Sequence, residues 1–372
     1  MRSTLPAGTF RTIILAALFT FGALLISAAP KKPPAPPQPP PLPAINTDQV
    51  RTDALAAYNQ GDFAKAIPLF LQLAERGDIE AQFNLGVMNA RAQGTARNTA
   101  EAAKWYRKAG EGGHPAAQLN LGTLYSAGDG VPKDPAEAAK WYRKAALIGY
   151  PQGLFNYAFV LTQGEGVPKN VEEGIGFYKK AVDQGLPEAA YRLGLVYFNG
   201  DGVAQSDTEA LKWFLKAGEM GSGVAEKQIA YMYEEGKGVE KNPAEAARRY
   251  RIAADKGITA AQFNLAGMYE RGEGGLAQDP QEAFAWYQKA ADLGLKEAQN
   301  KLGRIYATRE GSTAEEASLN IVKAYQWFSL AVSSGADVQQ NVDQVKEKMT
   351  PEQIVEGDRL VAEWKAAHNR KS

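Results

Sequence analysis

AAQLNLGTLYSAGDGVPKDPAEAAKWYRKAALIG, residues 116–149, reads as a helix, a glycine-rich turn and a second helix. In the first part Ala117, Leu121, Leu124 and Tyr125 follow i, i+4, i+7 and i+8, which puts them in one apolar stripe. Gly122 lies in that stripe and lets a partner helix approach closely. Gly128 and Gly130 suit the left-handed backbone that ends a helix and redirects the chain. Asp134 with Glu137 is a capping-box signature: the N-cap side chain accepts from the N3 amide, and the glutamate reaches back to the N-cap amide. Trp141, Tyr142 and Ala145 then supply a large-and-small pattern for interlocking helices, and the Trp141 ring is expected to be buried against the following repeat.

Working outward, the same sentence recurs. Gly86, Gly122, Ala158, Gly194, Ala230 and Ala266 are spaced by 36 residues, as are Trp105, Trp141, Phe177, Trp213 and Arg249. Trp286 follows at 37 and Trp327 at 41. A fixed period in this range with two helices per unit predicts an all-α fold, an α-solenoid in which each unit packs on its neighbours. The units fall at 79–113, 115–149, 151–185, 187–221, 223–257, 259–294 and 296–335. A degenerate first unit at 48–77, with the short turn Gln60-Gly61-Asp62-Phe63, reads as the N-terminal cap, and 336–372 as terminal capping helices. The capping pairs are Asn98/Glu101, Asp134/Glu137, Asn170/Glu173, Ser206/Glu209, Asn242/Glu245 and Asp279/Glu282. Three units depart from the pattern. Ala92 stands where the first turn glycine belongs, so that turn is expected to differ. Arg249 takes the tryptophan slot and Lys227 the slot of Phe83, Leu119, Phe155, Tyr191 and Phe263. The arginine head is expected to stay in water or to find a charged partner, loosening the seam with the next unit. The last unit stretches its turn through Thr308–Ile321 without paired glycines.

The chain has 42 basic and 42 acidic residues, so no basic field invites nucleic acid. Without cysteine there are no disulfides, no thiol catalysis and no thiolate metal site. Arg2 and Arg11 precede the apolar run Ile13–Ile26, which ends in Ser27-Ala28-Ala29, the pattern of a secretory signal. Residues 1–29 are therefore expected to act as a signal peptide or, if retained, a signal anchor, although the run is short for a span of ~20 residues. Pro30–Pro43 holds nine prolines, and 30–45 reads as an extended, stiff linker. The expected location is periplasmic or secreted, with an anchored periplasmic body as the alternative. The membrane is then touched only through the N-terminal segment.

The AAQLNLGTLY helix, the GDGVPKD turn and the AEAAKWYRKAA helix together resemble the Sel-one-like repeat, a relative of the tetratricopeptide repeat with a longer turn. The resemblance spans about 79–335. It implies a right-handed superhelix of antiparallel helix pairs that holds other proteins. It also implies an exported bacterial member, an adaptor of sensor kinases, of exopolysaccharide export or of wall-processing machinery. One cysteine-rich branch of the family is linked to β-lactam hydrolysis through disulfide-bonded repeats; with no cysteine here, that architecture is absent.

Catalytic signatures are missing. His114 and His368 are the only histidines, and neither an HExxH nor a G-x-S-x-G sequence occurs. The recurring G-x-G-V is accounted for by helix termination and the recurring glutamates by capping. No catalysis, cofactor or metal is expected. The binding residues are sought on the first helices, in the row Asn84, Asn120, Asn156, Arg192, Gln228, Asn264 and Lys301, with Phe83, Phe155, Tyr191 and Phe263 beside it. Stacked amides could hold the backbone of an extended peptide, and the aromatic residues its side chains. The same asparagines could instead bond a neighbouring helix as part of the repeat. The overall expectation is a non-catalytic scaffold binding a protein or peptide in the cell envelope. A wall-polysaccharide-binding module and a hydrolase are the alternatives.

Overall fold

The computed structural model describes residues 45–369. The leader and nearly all of the proline-rich linker lie outside the described residues. Those residues form 18 helices and no strand. The first pair is α1 (Thr47–Asn59) and α2 (Phe63–Ala74). The repeating pairs begin with α3 (Ile79–Ala90), α4 (Thr99–Glu111), α5 (Pro115–Ala127), α6 (Pro135–Leu147), α7 (Pro151–Gln163) and α8 (Val171–Asp183). They continue with α9 (Pro187–Asn199), α10 (Asp207–Glu219), α11 (Gly223–Glu235), α12 (Pro243–Asp255), α13 (Thr259–Arg271), α14 (Pro280–Asp292), α15 (Lys296–Thr308) and α16 (Ala314–Ser333). Two more helices, α17 (Gln339–Lys346) and α18 (Pro351–Asn369), follow. From α1 to α16 each helix packs on its successor, and α18 folds back on α16. That is the contact pattern of an α-solenoid. No described helix is long and apolar enough to cross a membrane.

Four of the seven repeating helix pairs are set by a ring against a glycine, and alanine takes that slot in the other three. A Cβ on Gly86 would come to 2.5 Å from the Tyr106 ring and one on Gly122 to 2.7 Å from the Tyr142 ring. Gly194 and Phe214, and Gly303 and Phe328, stand in the same relation. A second tie is made by the backbone. In all six capping pairs the N-cap side chain accepts from the amide of the paired glutamate. The other half of the box does not form. The N-cap amides of Asn98, Asp134, Asn170, Ser206, Asn242 and Asp279 donate instead to carbonyls of the preceding first helix, at 2.8–2.9 Å. The glutamates are thereby free for other partners: Glu137 accepts from the Trp141 indole at 3.0 Å. A reciprocal box does form at α18, where Thr350 N donates to Gln353 Oε1 at 2.8 Å and Gln353 N to Thr350 Oγ1 at 3.3 Å.

Three further expectations need correction. Trp141, 2% exposed, is buried against the preceding repeat, among Val87, Ala102, Tyr106 and Ala109, with its ring over Gly110. One position before the ring that faces α5, the indole is rotated about a third of a turn around the helix, onto α4. Arg107 of α4 lies 5.8 Å from this ring, and Arg251 of α12 lies 5.5 Å from that of Trp286. The turn at Ala92 does not differ in kind, because Ala92 itself takes the left-handed conformation, φ 56°, that Gly128 takes at 74°. In the last unit the extra residues are not loop. They lengthen α16 to 20 residues against 13 in α6, leaving only 309–313 as the connection.

At the C-terminal end Val361 and Trp364 pack against the cluster containing Ala291, Trp327 and Leu330. The His368 ring stacks on Trp364 at 3.7 Å, with its Nε2 2.6 Å from the Asp292 carbonyl. These contacts cover the apolar face that the last repeat leaves open.

Trp141→Ala should cost about 3–5 kcal/mol. Hydrogen exchange in that variant should accelerate first in α4, α5 and α6, and later in α8. Acceleration confined to α7 and α8 would contradict the backward packing. Ala92→Gly relieves a left-handed alanine and should raise stability by about 1 kcal/mol, read as a shift in the urea midpoint.

Candidate functional site

The first helices carry both predicted rows. Asn84, Asn120, Asn156, Gln228, Asn264 and Lys301 are half-buried, and Arg192 is exposed. The neighbouring rings are also half-buried, because each packs on a second-helix ring of its own unit. Phe83 lies 5.9 Å from Tyr106, Phe155 5.6 Å from Tyr178, Tyr191 5.5 Å from Phe214 and Phe263 5.3 Å from Tyr287. Phe83 is also stacked on His114 at 4.1 Å, and His114 caps α5 by accepting from Ala117 N. The aromatic row is thus partly framework.

The polar row is divided in use. Asn120 stands beside the Tyr106 phenol of the preceding unit, and Asn264 beside that of Tyr250. Burial pushes both phenols upward in pKa, and the asparagine amides oppose it. Lys301 is held by Glu270 at 2.7 Å and lies 5.5 Å from the Tyr287 ring centroid. Arg192 stands 5.4 Å from the Phe159 ring centroid and has no carboxylate partner among the described residues.

Two adjoining recesses of 280 Å³ each open along this row and share Asn264. One is lined by Lys227, Gln228, Tyr231, Tyr250, Ala260 and Asn264. The other is lined by Glu234, Phe263, Asn264, Gly267, Glu270, Arg271, Tyr287 and Lys301. The second holds carboxylates already engaged: Glu234 accepts from Tyr250 at 2.7 Å, and Glu270 from Tyr287 at 3.0 Å. Among the described residues no three His, Asp or Glu side chains gather to hold a metal ion.

Beneath the row runs a ladder that the sequence reading missed. Gln82, Gln118, Gln262 and Gln299 are buried, and each donates its amide to a carbonyl eight residues back, on Ala74, Gly110, Ala254 and Ala291, at 2.9–3.3 Å. The signal was a glutamine recurring at the repeat period just before the aromatic slot. In the fifth repeat Glu226 takes that slot, and Arg249 takes the tryptophan slot beside it. The Arg249 head is not in water: Nη1 reaches Glu226 Oε2 at 2.9 Å and Nε reaches Glu245 Oε1 at 2.7 Å. The side chains are 18% and 6% exposed for Arg249 and Glu226. Hydrogen bonds from Arg248 and Arg249 hold the Glu245 carboxyl down to about 2. Its contribution to stability is complete above the ordinary carboxylate range and drains away as pH falls toward 2. The charged partner of Arg249 therefore belongs to the chain itself.

The helix pairs, the ring-on-glycine seam and a polar first-helix face define the class: a solenoid of the tetratricopeptide-like kind. More narrowly, the Sel1 repeat model matches residues 79–114, 115–150, 151–186, 187–222, 224–258, 259–295 and 296–335, and the chain belongs to that family. A Sel1 repeat protein from Oxalobacter formigenes is 29% identical and superposes with a TM-score of 0.57, over 65% of this chain and 96% of that one. The protective antigen c5321 of uropathogenic Escherichia coli, which displays the same fold, is 23% identical with a TM-score of 0.50, over 86% of this chain and 94% of its own. No curated protein matches this chain.

Arg249→Trp alone leaves Glu226 buried without its cation and should destabilise by about 3–5 kcal/mol. Glu226→Gln added to it restores the glutamine–tryptophan arrangement of four of the other six units and should recover most of that loss. Urea unfolding of the two single variants and the pair reads the coupling. Additive losses would show that the two slots do not exchange as a unit.

Proposed function

We propose that this chain is an exported, non-catalytic scaffold that holds a protein or peptide of the bacterial cell envelope along its first-helix face. Sel1-repeat proteins are in general protein-interaction scaffolds. The observation that carries the reading here is the pair of adjoining recesses sharing Asn264, set in a row of amide and charged side chains that recurs with the repeat. An extended chain needs backbone partners at a regular spacing, and a row of amides on successive first helices offers donor and acceptor at each step. The aromatic residues favour a peptide over a polysaccharide, because Phe83, Phe155, Tyr191 and Phe263 lie against second-helix rings and do not stand as open stacking platforms. The arginine-flanked apolar run and the proline-rich stretch support export, with the partner drawn from sensor-kinase, exopolysaccharide or wall machinery.

A photo-crosslinking amino acid at Asn156 should capture a protein from intact cells, and one at Lys140, on an exposed second-helix position, should not. Equal capture from both positions would remove the face from the proposal. Fractionation should find the folded body outside the cytoplasm; a cytoplasmic body would end the export reading.

A further inference from the structure

We propose that the recess over Tyr250 receives a carboxylate of the bound segment. This deepens the peptide-scaffold reading and rests on it.

The recess exists because a ring is missing. At the equivalent slot Phe83, Phe155, Tyr191 and Phe263 each cover the second-helix ring of their unit, with centroids 5.3–5.9 Å apart. In the fifth repeat the slot holds Lys227, whose stem is thinner than a ring, and a 280 Å³ space is left above Tyr250. That is at the small end of ligand sites, which run to ~300–1,000 Å³. It has room for a side chain or a chain end, not for a cofactor.

Its walls point to an anion. Lys227, Gln228, Tyr231 and Asn264 all bring donors, and no Asp or Glu lines it. Two of the acids close by are committed: Glu226 is on the buried side of α11 and bonds Arg249 at 2.9 Å, and Glu234 accepts from the Tyr250 hydroxyl at 2.7 Å. A third, Glu235, is exposed and is not part of the lining. Lys227 itself has no ion pair among the described residues. Tyr250 donates its hydroxyl hydrogen to Glu234, which leaves the Asn264 amide beside it to face the recess. Lys237 sits 5.0 Å from the Tyr231 ring centroid, so a second cation stands beside this wall. A half-buried ammonium with amide and phenol donors around it and no carboxylate of its own is complementary to a carboxylate, bound by charge-assisted hydrogen bonds.

The test selects binders of the purified full chain from a displayed library of random peptides, then resynthesises them as C-terminal acids and amides. The expected binders carry Asp, Glu or a free chain end at one fixed position. Lys227→Gln should weaken them roughly ten- to hundredfold while leaving the melting temperature in place. Lys227→Glu should select Lys or Arg at that position instead. A loss confined to the free acids assigns a chain end; a loss in both forms assigns an acidic side chain. Binders that respond to Asn120→Ala and Asn156→Ala but show no acidic position, or ignore Lys227→Gln, overturn the recess and leave the scaffold reading standing. Peptides insensitive to all three positions, or no binders at all, overturn both.

Discussion

The contact on which everything else in this solenoid depends is the second-helix ring laid against a first-helix residue with little or no side chain. Tyr106 on Gly86, Tyr142 on Gly122, Phe214 on Gly194 and Phe328 on Gly303 set how near the two helices of a unit can come. With that distance set, the N-cap amide of the second helix reaches a carbonyl of the first, and the pair is tied at ring and backbone together. The tryptophan one position earlier then has only one direction left, back over the preceding second helix. Repeat-to-repeat coupling is a consequence of pair geometry, so a loss at one ring is felt on both of its neighbours.

The pair geometry tolerates changes made two at a time. The phenols show this at the far end of the ring. Tyr142 meets Thr123 and Ser126, Tyr178 meets Thr162, Tyr250 meets Glu234 and Tyr287 meets Glu270. Where the ring is Phe214 and has no hydroxyl, the facing residue is Phe198, at 6.4 Å. The fifth repeat makes the larger exchange. An arginine alone in the tryptophan slot would fill the seam poorly, and a glutamate alone in the glutamine slot would be a buried, unpaired charge. Together they replace one amide-and-indole arrangement with a salt bridge, at the cost of two desolvations that an apolar seam avoids.

How far this was legible in the sequence depended on whether a feature lies along the chain or across it. Helix phase, unit boundaries and the N-cap residues repeat at fixed spacing and could be counted; their side chains act within a few positions. Arg249 and Glu226 are 23 residues apart on different helices, and nothing in either local pattern announces the other. The direction of Trp141 could not be read either, since a repeat has a seam on both sides and the spacing is the same for each. The capping glutamates misled for a related reason. The motif is local, but the acceptor that displaces it, such as the Tyr125 carbonyl for Asp134, is supplied by the other helix. Of the candidate rows, membership was countable. Which amides stand against the framework, as Asn120 does beside Tyr106, was not.

This division bears on how such a surface acquires specificity. Ring, glycine, N-cap and buried glutamine are satisfied within a unit and its immediate neighbour, so they leave much of the outward face of the first helix free to vary. Those positions differ along the array: amides at Asn84, Asn120 and Asn156, then Arg192 near the Phe159 ring, then Lys227, then the engaged carboxylates Glu234 and Glu270 with Lys301. A segment bound as proposed would meet these in a fixed order, because the solenoid fixes the spacing of its first helices. Discrimination then comes from order as well as from composition: a partner with its charges reversed end to end would set an acid against Glu234 and a base against Lys227, two like-charge encounters in partly desolvated recesses. On that proposal a uniform row of asparagines would hold any extended chain, and the charged half of the row would be what refuses one.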